Sequence, residues 1–144
     1  MAERKDNVAR VLAIDPGTKR IGLAMSDPLG ITAQGIETFE TGKGREFLDH
    51  LGAIIERNAI ATVIVGLPLS MRGEEIEGSE RSRALAGRIE KRFGIEVVLQ
   101  DERMTSLEAE RVLRSGERSF DARDVDKLAA VLLLQSYLDA RTER

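Results

Sequence analysis

The chain has 144 residues, 42% of them hydrophobic and 33% charged, which is the composition of an ordinary globular domain. It contains no cysteine, which excludes disulfides, thiol nucleophiles and thiolate zinc sites and fits a cytoplasmic location. The first ten residues lack the apolar core of a secretory signal, and the longest apolar run, residues 128–134, is too short to cross a membrane. The net charge of −3 leaves a nucleic-acid partner open, because 17 of the 22 basic residues are arginines, which suit phosphate.

Hydrophobic periodicity predicts five strands and four helices. In chain order these are strands at about residues 11–15, 21–25 and 31–39, a helix at 44–57, a strand at 61–66, a helix at 79–93, a strand at 95–99, and helices at 105–115 and 124–140. Residues 70–78 read as a polar, mobile loop, and residues 116–123 as a charged linker. The order β-β-β-α-β-α-β-α-α predicts an α/β fold with a mixed sheet and helices on its faces.

Three acids stand at the ends of predicted elements. Asp15 ends the first strand, Glu102 follows the last strand, and Asp126 opens the final helix. Functional residues of such sheets gather at the carboxyl ends of the parallel strands, so these carboxylates are expected at one edge. Oxygen ligands, in a chain with no cysteine and one histidine, suit a hard cation such as Mg²⁺ or Mn²⁺. Such ions can activate water for phosphodiester hydrolysis.

Each acid also has an ordinary structural explanation. Asp15 could cap a turn, and Glu102 could pair with a surface arginine. Asp124 and Asp126 could simply favour the dipole of the helix that they open. These alternatives remain open for each acid taken alone, whereas the conjunction of three acids at compatible element ends is more specific.

The remaining candidates carry weaker signals. His50, the only histidine, falls among polar helix positions and is expected to face solvent rather than to act as a base. Arg81, Arg88 and Arg92 share one side of the second helix, which predicts either a solvated face or a track for a phosphate backbone. One tyrosine, four phenylalanines and no tryptophan argue against a base-stacking platform.

Four ordered segments resemble the motifs of the YqgF family, also called RuvX, of Holliday-junction-resolvase-like and pre-16S rRNA nucleases. The segments are AIDPGTKRIG at 13–22, VIVGLPLSMRG at 63–73, DERMTS at 101–106 and DVDKLAA at 124–130. The resemblance runs from about Arg10 to Asp139. It implies one RNase H-like nuclease domain over residues 1–144, with a core at about 10–140, antiparallel strands one to three and parallel strands after them.

The resemblance also implies a site and an activity. Asp15, Glu102 and Asp126 would be the metal-binding and catalytic carboxylates of a Mg²⁺- or Mn²⁺-dependent nuclease, with Asp15 anchoring the metals. The implied function is maturation of the 5′ end of 16S rRNA in structured precursor RNA, with resolution of branched DNA junctions as the older proposal. The expected phosphate contacts are Lys19, Arg20 and Arg103.

Two departures from related proteins bear on the substrate. Resolvases of the RuvC type carry an acid on the central strand and another one helical turn from the last, but residues 63–66 hold no acid and Ala129 stands one turn after Asp126. Ser70 and Arg72 also replace the Asn and Asp usual in the family's second motif. The missing acids weaken the case for a four-acid resolvase site, and the changes at Ser70 and Arg72 leave the contacts of that loop undefined.

Other functional classes stay open. The hairpin at residues 15–18 is similar to the phosphate-binding hairpin of the sugar-kinase and Hsp70 ATPase superfamily, but those proteins need two such lobes and this chain supplies one. A third interpretation is a non-catalytic module that binds RNA. A symmetric resolvase would act as a homodimer, whereas an enzyme that trims rRNA could work as a monomer.

Overall fold

The computed structural model describes residues 9–103, 105–114 and 122–142. The predicted order of elements is confirmed. The strands are β1 (Arg10–Pro16), β2 (Arg20–Ser26), β3 (Ala33–Glu40), β4 (Ile60–Leu67) and β5 (Glu96–Asp101), and the helices are α1 (Gly44–Asn58), α2 (Ser79–Phe93), α3 (Thr105–Arg114) and α4 (Ala122–Thr142). Across these three described stretches, no helix has the length and apolarity needed to cross a membrane.

The five strands form one mixed sheet in the order β3-β2-β1-β4-β5. Strands β1 to β3 pair antiparallel, while β1, β4 and β5 run parallel to one another. This confirms the predicted topology. It also brings the carboxyl ends of β1, β4 and β5 to one edge of the sheet, which is the edge where ligands bind in open α/β sheets.

Helices cover both faces of the sheet, each over its own hydrophobic cluster. Helices α1 and α2 pack on the face that buries Leu12 and Ile14 of β1. Helix α4 packs on the opposite face, over Val11 and Ala13. Successive residues of a strand point to opposite faces, so this alternation directs Asp15 to the α4 face.

Boundaries differ from prediction where charged residues belong to regular elements. Helix α4 begins at Ala122, inside the stretch predicted as a linker, while residues 115–121 lie outside the described part of the chain. The predicted loop at 70–78 contains a hydrogen-bonded turn, in which the Ser70 hydroxyl accepts from the backbone N–H groups of Arg72 and Glu74. Charge alone therefore did not identify loops in this chain.

The environment of His50 also differs from the prediction. Its ring stacks on Phe39, with the ring centroids 5.3 Å apart, and one ring nitrogen bonds to the Glu37 carboxylate. About a third of the side chain is exposed. His50 therefore joins α1 to β3, and it does not face solvent freely.

Candidate active site

Asp15 is the buried acid at the carboxyl end of β1. Its side chain is only 9% exposed, although a carboxylate is among the groups most rarely buried without a partner. Pro16 and Gly17 follow it and lead into the turn before β2. The strand end therefore holds a carboxyl group on rigid backbone inside the fold.

Two glycines flank Asp15 on the neighbouring strands. Gly22 lies directly opposite Asp15 in the β1–β2 register, and a Cβ there would come 2.2 Å from the backbone oxygen of Asp126. On the other side, a Cβ on Gly66 would come 2.2 Å from Oε1 of Glu102 and 3.2 Å from Oδ1 of Asp15. The missing side chains thus allow α4 and Glu102 to approach Asp15.

Neither glycine was assigned a role from the sequence, although both fall within the quoted motifs. A glycine inside an otherwise apolar strand marks a place where another group approaches closely. That signal was present at Gly66, which follows the apolar residues 63–65 of a central strand. It does not reveal which group approaches, because Glu102 is 36 positions further along the chain.

Glu102 turns inward from the end of β5 toward Asp15. Its backbone N–H donates to the carbonyl of Leu67 at 3.2 Å, which anchors it beside the end of β4. Its carboxyl group lies within hydrogen-bonding distance of the Asp15 carboxyl group. The structure therefore brings together two of the three predicted catalytic acids.

Burial and mutual proximity perturb both acids. Burial, the hydrogen bond with Asp15 and the charges of Asp15 and Asp101 raise the pKa of Glu102 to about 10. Burial also raises the pKa of Asp15, opposed by the hydrogen bond with Glu102 and reinforced by the charge of Asp126. The two carboxyl groups consequently share a proton at neutral pH rather than ionise together.

Asp126 lies nearby but bonds to a different partner. Arg20 Nε donates to Asp126 Oδ2 at 2.9 Å, with both side chains about a quarter exposed. Over the described part of the chain, no three acids or histidines are close enough together to hold a metal ion. The third predicted ligand therefore stands beside the pair, engaged by an arginine.

The Asp15–Glu102 pair fits a divalent cation. Glu102 Oε1 is buried and accepts no hydrogen bond from a described residue, so this atom is available to coordinate a cation. Mg²⁺ commonly binds one or two carboxylates and completes its shell with water and substrate phosphate. A bound cation would also stabilise the ionised form of both acids, whose pKa values are raised chiefly by burial and further by neighbouring acidic charges.

The predicted phosphate contacts differ in their availability. The side chain of Arg103 folds back onto the Asp101 carboxylate and donates to the carbonyl of Met71. Arg20 is engaged with Asp126. Lys19 is exposed, lines a shallow depression together with Arg20, and forms no ion pair within the described residues. Lys19 is therefore the most accessible of the three charges.

A five-stranded sheet of this order, covered on one face by the final helix and carrying a buried acid at the end of β1, defines an RNase H-like fold. Solved structures agree with this fold class. RuvC of T. thermophilus bound to a Holliday junction substrate aligns with a TM-score of 0.61 over 94% of this chain and 97% of its own, at 16% identity. The Fowlpox virus resolvase in complex with Holliday junction DNA aligns with a TM-score of 0.55 over 92% and 98%, at 14% identity.

Sequence comparison identifies the family within that class. The family described as "RuvX: Holliday junction resolvase" matches residues 9–140. A Koribacter versatilis protein named "Putative pre-16S rRNA nuclease" is 49% identical over 92% of this chain and 88% of its own. Proteins of the same name from Lactococcus lactis subsp. cremoris and Geobacillus kaustophilus are 43% and 42% identical, over 95% and 99% of their own lengths. The chain belongs to the RuvX family.

Proposed function

We propose that this protein is a divalent-metal-dependent nuclease that hydrolyses phosphodiester bonds while the 5′ end of pre-16S rRNA matures. The observation that carries the proposal is the contact between the buried carboxyl group of Asp15 and the half-buried one of Glu102, whose Oε1 atom is buried and accepts no hydrogen bond from a described residue. Two adjacent carboxyl groups away from solvent destabilise a fold, so their contact indicates a functional role. Family membership and the names of its relatives support the same chemistry.

In this proposal Asp15 and Glu102 hold a Mg²⁺ or Mn²⁺ ion and Asp126 is the third catalytic carboxylate. When bound, the cation would lower the pKa of water and offset the charge on the phosphate under attack. The residues of the chain supply orientation, because Asp15 and Glu102 fix the positions of the ligand oxygens at the ends of β1 and β5. Lys19, Arg20 and Arg103 are the proposed phosphate contacts, and hydrolysis would leave a 5′-phosphate and a 3′-hydroxyl.

Resolution of branched DNA is the second candidate, since the matching family carries that description. The local geometry favours RNA processing instead. Glu102 Oε1 fills the space beside β4 that an acid on Gly66 would need, and Ala129, one turn after Asp126, is buried and apolar. A site of this kind lacks the two additional acids of a RuvC-type resolvase. We place the activity in the cytoplasm, with a monomer sufficient for trimming and a homodimer required for junctions.

The experiment is a cleavage assay on two substrates. Purified protein with Mg²⁺ or Mn²⁺ is given precursor 16S rRNA that carries its 5′ extension and, separately, a four-way DNA junction. We expect cleavage of the RNA, and we expect Asp15→Asn to lower the rate by about 10³-fold or more, since it removes a group that acts in the transition state. Circular dichroism and thermal unfolding report whether the variant keeps its fold.

Glu56→Gln is the matched control, because Glu56 is an exposed carboxylate on α1 far along the chain from the acids of the site. It should cleave like wild type. Equal rates for wild type and Asp15→Asn would contradict the nuclease proposal and favour a non-catalytic RNA-binding module. Preferential cleavage of the junction would replace RNA with branched DNA as the substrate.

A further inference from the structure

The face of the sheet opposite to the acids carries a cavity at the same edge. It has a volume of about 280 Å³ and lies between the turn after β1, the loop before α1, and helix α2. Its floor is apolar and is formed by Ile21, Phe47 and Leu85. Its rim is basic and carries Lys43, Arg81 and Arg88.

The basic rim stands out against the rest of α2. Arg83 and Arg92 on the same helix pair with the carboxylates of Glu75 and Asp49. Arg81 and Arg88, the two that line the cavity, form no ion pair with any described residue. These are the two arginines whose charge is available to a ligand.

The remaining charges of the lining nearly cancel. Lys43 pairs with Glu40 at 3.3 Å, and both residues are well exposed. The cavity therefore has an excess of two positive charges, although the whole chain has a net charge of −3. Guanidinium groups that have no carboxylate partner are well suited to bind phosphate oxygens.

We propose that this cavity binds an unpaired nucleotide of the substrate strand, close to the phosphate that is cleaved. The apolar floor takes the base, and the guanidinium groups of Arg81 and Arg88 take phosphates of the backbone. This inference rests on the proposed nuclease function, and it specifies the class of substrate. A base enters such a cavity only from a strand that is not part of a continuous duplex.

The position of the cavity supports this role. Pro16 and Gly17 line it and directly follow Asp15 in the chain. A strand held at Asp15 on one face of the sheet edge has only this short turn to cross before it reaches the cavity. The cleaved bond and the bound base would therefore belong to the same short stretch of strand.

Gly44 offers a way to close the cavity without disturbing the fold. It lines the cavity at the start of α1, its backbone is not in the left-handed region, and a Cβ there would meet no atom within 4 Å. A phenylalanine at this position would fill the cavity from its rim. Gly87 on α2 is the matched control, because a Cβ there also meets no atom within 4 Å and Gly87 does not line the cavity.

The test measures binding without cleavage. Fluorescence anisotropy in EDTA measures the affinity for a labelled single-stranded RNA and for the same sequence as a duplex. A nucleoside 5′-monophosphate is then added as a competitor. We expect Gly44→Phe to weaken single-strand binding by about 10-fold, as for loss of one base contact, with little change for the duplex. Gly87→Phe should bind like wild type.

The two arginines are tested by salt dependence. Replacing both Arg81 and Arg88 with alanine should make the slope of log K against log salt shallower by about 1.4 for single-stranded RNA, which corresponds to two lost phosphate contacts. The control is the double alanine variant at Arg83 and Arg92, whose charges already have carboxylate partners. Its slope should stay near that of wild type.

The outcomes separate this inference from the proposed function. If Gly44→Phe binds single-stranded RNA like wild type while the wild type still cleaves RNA, the cavity inference is wrong and the nuclease proposal stands. Weakening of single strand and duplex alike would also overturn it. Competition by the monophosphate at low concentration would assign the cavity to a free nucleotide rather than to the substrate strand.

Discussion

Asp15 is closely approached from both neighbouring strands, β2 and β4, but by a different kind of group on each side. On the β2 side, the space above Gly22 is filled by backbone of α4 at Asp126. On the β4 side, the space beside Gly66 is filled by the carboxylate of Glu102. A methyl group would come within 2.2 Å of the nearest atom in both cases. A side chain would clash equally severely at both glycines, but it would displace helix backbone at Gly22 and a carboxylate at Gly66.

The difference lies in what can move. Backbone at the start of a helix cannot shift alone, because α4 packs on β1, β2 and β3 through most of one hydrophobic cluster. A carboxylate at the end of a side chain can rotate away at small cost. Gly22 therefore secures the packing of α4 at the site, while Gly66 secures the position of Glu102, one of the proposed catalytic acids.

Gly22→Ala should have the largest effect of these substitutions, and it should lower the stability of the fold. The added methyl group pushes against the Asp126 carbonyl, so α4 must shift, and we expect a loss of about 2–3 kcal/mol in the free energy of unfolding. Urea unfolding measures it. Gly87→Ala is the control, since a methyl group there meets open space in a helix and should stabilise by about 0.4–1 kcal/mol. A loss below 0.5 kcal/mol at Gly22 would contradict a fixed α4.

Gly66→Ala should act on activity instead. Because the methyl group displaces the Glu102 carboxylate from Asp15, we expect cleavage and metal affinity to fall by about 10–100-fold, as for other groups that orient metal ligands. The free energy of unfolding should change by less than about 1 kcal/mol. Activity against Mn²⁺ concentration, measured beside urea unfolding, separates the two effects.

A second substitution tests the mechanism of that loss. Adding Glu102→Asp to Gly66→Ala shortens the acid by one methylene group, which makes room for the alanine while keeping a carboxylate near Asp15. The double variant should recover part of the activity that the single variant lost. No recovery, with Glu102→Asp alone remaining active, would show that Gly66 is needed for some other reason.

Glu102→Gln should stabilise the metal-free protein at alkaline pH. The folded pKa of Glu102 is raised from its ordinary value of 4.5 to about 10, so the folded state binds this proton more tightly than the unfolded state does. The stability that results is complete below pH 4.5 and is lost as pH rises toward 10. Glutamine keeps the neutral form, so at pH 8 in EDTA we expect a gain of about 0.5–2 kcal/mol.

The neighbouring acid is a natural control for this prediction. The hydrogen bond from Arg103 lowers the pKa of Asp101, whose carboxylate is exposed, so the stability that it provides is present at pH 8 and is lost only as pH falls. Asp101→Asn should therefore destabilise slightly, by about 0–1 kcal/mol for an exposed pair. Thermal unfolding from pH 6 to 9 measures both variants. Parallel pH curves for wild type and Glu102→Gln would refute the shared proton.

The sequence was sufficient for the fold and for placing Asp15 and Glu102 at one edge of the sheet, but not for the contacts that they make. Runs such as residues 63–65 reveal a buried strand because burial on both faces requires continuous apolar residues, and parallel strands then bring Asp15 and Glu102 to one edge. Helix α4 began earlier than predicted because Ala122 and Arg123 carry no marked apolar periodicity. The metal-binding role of the three acids remains a prediction.

Other features arise only from the folded chain. The Arg20–Asp126 pair joins residues 106 positions apart, and no local pattern indicates it. The cavity beside Arg81 and Arg88 combines three separate segments, so the sequence showed only that these arginines share a helix face. Long-range pairing of charges decides which arginines are available, and that information is absent from the spacing of residues along α2.

Arg20→Gln should have the smallest effect, and it returns to the β2 side of Asp15. Arg20 competes with any cation for Asp126, so its removal should raise the affinity for Mn²⁺ without nucleic acid by about 1.4–5-fold, equivalent to the roughly 0.2–1 kcal/mol of a partly exposed ion pair. Isothermal titration calorimetry measures this change. Arg20→Lys keeps a competing charge and should bind Mn²⁺ nearly like wild type. A weaker affinity in Arg20→Gln would contradict this competition. It would mean that Arg20 orients the Asp126 carboxylate toward the metal.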